Sequence, residues 1–308
     1  MSTLWFTHPS GFSHLPPQDH PERVDRLHAL NPAIAALGLT PIEAPIAEEA
    51  EVRRCHPQSY IEALRAAEPA EGAVAVDPDT WLSPGSLTAA FAAVGACNAA
   101  VEAVVSGKAK NAFVGCRPPG HHAERERAMG FCLFGTVAIA AKYALDQLGL
   151  SRVAVVDFDV HHGNGTQDLL WDDPRCLFIS SHQVPLYPGT GLAQETGAHD
   201  NVLNIPLAPG TDGAAMRALY QRLALPRLRE FNPELLLISA GFDAHRDDPL
   251  AQLEWEVDDY IWLTDQLCDV ADQCCGGRVV SSLEGGYNLA ALAAAAAAHV
   301  GRLKDRGG

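Results

Sequence analysis

Six short apolar runs, each closed by turn residues, constrain this chain most: AFVGC at 112–116, VAVVDF at 153–158, CLFIS at 176–180, NVLNIPL at 201–207, ELLLISA at 234–240 and RVVSSLE at 278–284. Runs that stay apolar on successive residues, rather than on alternate ones, suit strands buried on both faces. Between and around them lie segments with helical spacing and helical punctuation. These are Pro84 to Val105, with Pro near its start and Gly107 beyond its end, then Gly135 to Leu148, Asp212 to Glu230, Val257 to Cys275 and Asn288 to Arg302. Strands alternating with helices predict a parallel sheet covered on both sides. No long linker, low-complexity tract or repeat divides the chain, so one α/β domain is expected. Its first 80 residues, rich in Pro, His and acidic groups, are the least defined.

A chain of 308 residues, 47% hydrophobic, can bury a large core. Its net charge of −16, without a basic run, disfavours sequence-independent binding to nucleic acid or to an anionic membrane and would attract a cationic substrate. The opening MSTLWFTHPSGF lacks a basic flank followed by a secretory apolar stretch. The longest uninterrupted apolar run, Leu289 to Ala298, is too short to span a bilayer. A soluble, cytoplasmic protein is therefore expected, its oligomeric state open. Eight cysteines (Cys55, Cys97, Cys116, Cys132, Cys176, Cys268, Cys274 and Cys275) include no C-x-x-C pair and read as reduced, mostly buried thiols. Cys274 and Cys275, ahead of Gly276 and Gly277, suit a helix end better than a metal or redox site.

In parallel sheets of this kind ligands bind beyond the carboxyl ends of the strands. Polar clusters fall there four times: GCRPPGHHAE, DFDVHHGNG, SAGFDAHRDDP and LEGGYN. Asp157, Asp159 and His161 are spaced i, i+2, i+4, which in extended backbone puts all three on one side and Phe158 and Val160 on the other. Carboxylates and imidazoles that converge in a desolvated pocket commonly share a cation, since like charges so close would otherwise take up protons. With Asp243 arriving from another strand end, Asp159, His161 and Asp243 offer two carboxylates and one imidazole and leave a position for water. That is the open arrangement of a catalytic Zn²⁺, although these ligand types also accept Fe²⁺ or Mn²⁺.

The motifs RPPGHHA, GFCLF, DFDVHHGNGTQ, AGFDAH, DPL and LEGGYN, with HPERVDRL at 20–27 and DTWLSPGS at 79–86, occur in an order and spacing that resembles the zinc-dependent histone deacetylase family, closest to its class II and bacterial members. The resemblance covers nearly the whole chain. It implies the arginase/deacetylase fold, with residues 1–308 as one catalytic domain around a mainly parallel sheet of about eight strands flanked by helices. It further implies Asp159, His161 and Asp243 as zinc ligands, His121 and His122 as the paired catalytic histidines, and Tyr287 as the phenol facing the metal across the substrate carbonyl. The family pattern pairs His121 with Asp157 and His122 with Asn164. A carboxylate partner favours imidazolium at His121, whereas neutral Asn164 leaves His122 nearer its unperturbed pKa of about 6.5. His122 is thus expected to be the general base and acid, and His121 an electrostatic and orienting group. His162, beside a ligand, is expected to point away and serve structure. Gly285 and Gly286 are expected to form the turn that lets Tyr287 reach inward.

The resemblance also implies a substrate tunnel walled by Phe131 and Tyr187, with Gly130 beside Phe131 and Leu250 at the rim, where buried methylene groups gain roughly 0.8 kcal/mol each. It implies a structural K⁺ held by oxygens of Asp157, Asp159, His161 and Ser180. The expected reaction is hydrolysis of a linear amide, removing acetyl or another short acyl group from N-acylated lysine in a protein or peptide. Deacetylation of acetylpolyamines or other small N-acyl amines is the alternative, weakened by apolar Leu250 where polyamine-selective relatives carry Glu. An arginase-like binuclear Mn²⁺ hydrolase would need more bridging aspartates, and Asn164 sits where one would help. A catalytically silent acyl-lysine binding protein would not need Tyr287 and both histidines. Gly135 replaces the Asn common after CLF, which is expected to loosen the next helix. The loop containing His14, Pro16, Pro17 and Asp19 is expected to form part of the rim.

Overall fold

β6 (Val153–Asp157) carries in miniature the logic of the whole molecule. All five residues are buried; Val153 and Val155 enter one apolar core and Ala154 and Val156 the other, so the strand is lined on both faces. The computed structural model describes residues 2–308. Its further strands are β1 (Thr3–Thr7), β2 (Pro41–Glu43), β3 (Val74–Asp77), β4 (Thr80–Leu82), β5 (Asn111–Val114), β7 (Cys176–Gln183), β8 (Val202–Leu207), β9 (Leu235–Ala240) and β10 (Val279–Leu283). β3 and β4 form a separate antiparallel pair. The other eight make one sheet in the order β2-β1-β5-β10-β9-β6-β7-β8, and every pairing in it is parallel. This is the α/β architecture with an eight-stranded sheet that the motifs implied.

Helices cover both faces. α2 (Glu49–Val52), α3 (Gln58–Ala67), α4 (Ser86–Val105) and α5 (Thr136–Asp146) pack with Val153, Val155, Leu235 and Leu237. On the opposite side α1 (Asp25–Ala35), α7 (Gly213–Leu219), α8 (Leu225–Phe231), α9 (Val257–Cys275) and α10 (Leu289–Gly307) pack with Ala154, Val156, Leu236 and Ile238. The short α6 (Asn164–Leu170) follows the metal-loop sequence directly. The last strand in the chain, β10, is inserted between β5 and β9, so β5, β10, β9 and β6 stand side by side at the centre of the sheet.

All six predicted strands and all five predicted helices form. α9 has the predicted bounds: Glu256 and Asp259 build a capping box at its start and Gly276, at φ 64°, closes it after Cys275. All eight cysteines are free thiols, seven of them buried. α10 runs five residues beyond Arg302, and a π-helical turn, Tyr220–Ala224, joins α7 to α8 where one regular helix is predicted. α4 is long and apolar enough to cross a membrane, a feature the search for uninterrupted apolar runs misses, yet it is packed mostly inside the core. Gly135 leads into a well-formed α5; a Cβ there would lie 2.2 Å from Leu169 Cδ1, so glycine permits a close approach rather than loosening the helix.

Candidate metal centre and active site

The loops after β5, β6, β9 and β10 meet at the carboxyl edge of the sheet. β6 ends at Asp157, so the strict alternation read along 157–161 does not continue as strand; even so, Phe158 and Val160 enter the core while Asp159 and His161 turn to the site. Asp159, His161 and Asp243 are all buried, and each offers a ligand atom within 4.8 Å of the others. His161 Nδ1 lies 3.1 Å from Asp159 Oδ1 and 3.2 Å from Asp243 Oδ2. Backbone amides orient the carboxylates: Val160 N donates to Asp243 Oδ1 at 2.9 Å and Gly285 N to Asp159 Oδ2 at 2.8 Å. Burial disfavours charge on His161, but its hydrogen bonds to Asp159 and Asp243 outweigh this and raise its pKa to about 10. Two carboxylates on one imidazole, shut away from water, create a demand for positive charge that a divalent cation bound by these three groups would meet.

Both histidines of GHHA face this cluster, with ring centroids 4.0 Å apart. His121 Nδ1 lies 3.0 Å from Asp157 Oδ2, and Asp157 Oδ1 also accepts from Asp159 N at 3.1 Å. Burial opposes a charged His121, yet Asp159 and Asp157 prevail and hold its pKa well above the ordinary value. His122 differs. Asn164 Nδ2 donates to Glu124 Oε1 at 2.7 Å, which turns Asn164 Oδ1 toward His122 Nδ1, 2.7 Å away. His122 therefore donates through Nδ1 and keeps Nε2 unprotonated. Burial, then the neighbouring His121 and His161, lower its pKa well below the ordinary value rather than leaving it near 6.5. The two pairings inferred from the motif are present; the titration of His122 is displaced further than its neutral partner alone suggested.

Tyr287 reaches the site on a loop in which two glycines are required. A Cβ on Gly285 would stand 2.0 Å from Asp243 Oδ2, and Gly286 has φ 121°, a conformation open to glycine. Burial raises the phenol's pKa well above 10, so it stays a proton donor at neutral pH. His122, His161 and Tyr287 open onto a pocket of about 250 Å³, with Gly130, Phe131, Tyr187 and Leu250, the four predicted substrate-binding residues, in its lining. The pocket runs from buried His122 to Tyr187, which is 37% exposed. Phe131 packs edge-on to Tyr287 at 5.8 Å and Tyr187 edge-on to His122 at 5.2 Å. His162 points elsewhere: its nitrogens engage Thr190 Oγ1 at 2.8 Å and Gln167 Oε1 at 3.0 Å. Ser180 pairs in register with Asp157 across β6 and β7, and its hydroxyl contacts His182 Nδ1 at 2.9 Å.

The sequence reading missed several residues around this site. Asp79 and Leu186 also line the pocket; Asp79 Oδ1 accepts from Gly130 N at 3.0 Å. Glu284 accepts from Gly120 N at 2.7 Å and His121 N at 3.1 Å, tying the histidine loop to the tyrosine loop. Arg26 donates to Gly286 O at 2.8 Å and stands 5.1 Å from the Tyr287 ring centroid. Asp79, Glu284 and Arg26 all lie inside quoted motifs, which was the available signal. One expectation is corrected: His14 is not at the rim. It is buried against Ser86 Oγ at 2.7 Å and lies 3.6 Å from Glu22.

Fold and site together define an α/β protein with a metal-binding Asp-His-Asp triad at the carboxyl edge of a parallel sheet. The chain belongs to the histone deacetylase domain family, whose model matches residues 20–303. It is 37% identical over 291 residues to the histone deacetylase-like amidohydrolase of Pseudomonas aeruginosa, covering 93% of this chain and 76% of that one. It is 37% identical over 282 residues to a probable deacetylase of Archaeoglobus fulgidus, covering 88% and 77%. Type-2 histone deacetylase 2 of Dictyostelium discoideum is 44% identical over 227 residues, 68% of this chain and 13% of that much longer protein. The crystal structure of the HDA15 HD domain superposes with a TM-score of 0.93 at 34% identity, covering 99% of this chain and 89% of that one.

Proposed function

We propose that this protein is a zinc-dependent amidohydrolase that removes acetyl, or another short acyl group, from N-acylated lysine. One observation carries the reading: His161 of a buried Asp-His-Asp triad, His122 with its lowered pKa and Tyr287 with its raised one open together onto one aromatic-walled pocket. Family membership supports it. Asp159, His161 and Asp243 would hold the metal, which when bound supplies a water of lowered pKa and polarises the acyl carbonyl.

The remaining steps belong to the chain's own residues. His122, neutral with Nε2 free, accepts the proton of the attacking water and returns one to the leaving amine. His121, kept cationic by Asp157 and Asp159, adds positive charge beside the developing oxyanion and orients its neighbour. Tyr287 donates its phenolic proton in a hydrogen bond to that oxyanion. Phe131 and Tyr187 flank the methylene chain and exclude water from it. Apolar Leu250 favours an aliphatic stem over a second ammonium group. A structural K⁺ bound by Asp157, Asp159, His161 and Ser180 belongs to the same reading.

The test is turnover by Zn²⁺-loaded protein of acetyl-lysine and trifluoroacetyl-lysine peptides and of N-acetylputrescine, alongside the His122→Ala and Tyr287→Phe variants. Metal-dependent turnover of the lysine substrates, in preference to the putrescine, is expected. Tight binding of an acetyl-lysine peptide without turnover of any substrate would overturn the reading in favour of a binding protein.

A further inference from the structure

Asp248 has no part in the chemistry just described, yet its carboxylate lies buried between two segments of the pocket wall. Its Oδ2 accepts from the backbone N–H of Tyr287 at 2.7 Å and from that of Asn288 at 3.3 Å, while Oδ1 accepts from the N–H of Leu250 at 3.0 Å. The neighbouring Asp247 adds a strap, its carbonyl accepting from Asn288 Nδ2 at 3.1 Å. Tyr287 and Leu250 both line the pocket and lie on loops after different strands, β10 and β9. One carboxylate therefore holds the backbone of the phenol and the backbone of the wall residue at once.

Other contacts anchor the tyrosine loop earlier along its course. Glu284 joins it to the histidine loop, Gly285 N to Asp159, and Arg26 to the carbonyl of Gly286. Asp248 grips Tyr287 itself, and through Asn288 it also touches the residue whose Oδ1 caps α10 by accepting from Ala290 N and Ala291 N. Three backbone N–H groups from two loops converge on the two oxygens of this one buried carboxyl, which suits a contact that must set a position. The phenolic oxygen stands at the far end of a long rigid side chain, so a small tilt at the Cα is magnified at the oxygen.

We propose that Asp248 is a positioning residue that holds Tyr287 and Leu250 in a common register, setting the reach of the phenol and the width of the pocket together. The proposal rests on the deacylase reading for its kinetic consequence but not for its structural one.

The experiment compares Asp248→Ala and Asp248→Asn, each alone and combined with Tyr287→Phe. It reads kcat and KM on acetyl-lysine and trifluoroacetyl-lysine peptides, metal content, and hydrogen exchange of the backbone amides of residues 286–290. With Tyr287 present, Asp248→Ala should lower kcat by between about tenfold and about a hundredfold, the scale of an ångström-sized misplacement, with a smaller change in KM and full metal content. In the Tyr287→Phe background the same change should have little further effect, since there is no phenol left to place. Asp248→Asn keeps an acceptor oxygen and should recover part of the loss; it also serves where the alanine variant fails to fold. Equal fractional losses in both backgrounds, or an unchanged kcat, would overturn the proposal. If the wild-type protein turns over none of the peptides, the deacylase reading fails and exchange decides. Faster exchange at Tyr287 and Asn288 in the variants upholds the clamp, and unchanged exchange rejects it.

Discussion

Two buried ionic clusters lie close to Tyr287, and they balance charge in opposite ways. In the first, Asp157, Asp159 and Asp243 surround His121 and His161, so carboxylates outnumber imidazoles. In the second, a single carboxylate, Glu22, meets two guanidiniums. Arg117 grips it through Nε and through Nη2 at 2.6 Å, and Arg26 Nη1 stands 3.2 Å away. The spare donors of the arginines go to carbonyls, among them Gly11 O at 2.7 Å and Gly286 O at 2.8 Å. The second cluster is complete within the chain. The first is built to share a cation. A buried cluster with an excess of carboxylates thus suits a cation site, whereas an excess of guanidinium whose spare donors are spent on backbone carbonyls suits a strut.

The comparison breaks first at the ligands. Asp243→Ala should weaken Zn²⁺ binding by more than about a hundredfold, beyond the usual cost of losing an outer partner, and abolish turnover; chelator competition and activity measure both. His122→Ala should keep the metal and lower kcat by about 10² to 10⁴-fold, the span of general acid–base catalysis. Glu22→Gln addresses the other cluster. It should leave Zn²⁺ affinity unchanged and cost about 3–5 kcal/mol of stability, because two guanidiniums lose their charged partner; urea unfolding checks it. Tyr287→Phe should lower kcat by about 10² to 10³-fold on acetyl-lysine, and less on the activated trifluoroacetyl substrate, in steady-state kinetics.

A pH series sharpens the contrast. Burial works against the Glu22 carboxylate, but Arg117, His14 and Arg26 pull its pKa down to about 2 from the ordinary 4.5. A depressed pKa stabilises the folded state above the unfolded value and ceases to do so as pH falls through the folded one. Glu22 should therefore contribute about 3 kcal/mol above pH 4.5, lost progressively toward pH 2. The stability gap between wild type and Glu22→Gln should close over that interval; a gap that stays constant on acidification would remove Glu22 from the charge balance.

The ligand triad was legible because its residues follow apolar strands, and strand ends of a parallel sheet converge; the histidine partners Asp157 and Asn164 were read from the family resemblance. The residues that orient these groups were not legible. Glu284 meets Gly120 across 164 positions, and Asp248 meets Tyr287 across 39, through backbone amides that have no signature in residue type. Within the first 80 residues β1 is five residues long and α1 carries Pro32 inside it, so neither presents a clean period. His14, in a polar Pro-rich stretch, reads as surface; its burial depends on Ser86 and Glu22 arriving from elsewhere. The depth of the His122 shift had the same origin, for enclosure and cationic neighbours exist only after folding.

The insertion of β10 between β5 and β9 has a consequence for the order in which this protein comes into being. A nascent chain released only as far as residue 277 holds all three ligands and both histidines, but lacks the strand that joins their two halves of the sheet. The contacts that complete the site are among the most distant in sequence, which makes their closure slow relative to local structure. The three ligand residues follow β6 and β9, which pair directly, so what waits for β10 is the joining of the histidine loop to them and the arrival of Tyr287: the metal positions are assembled from nearer neighbours than the groups that would act on a substrate.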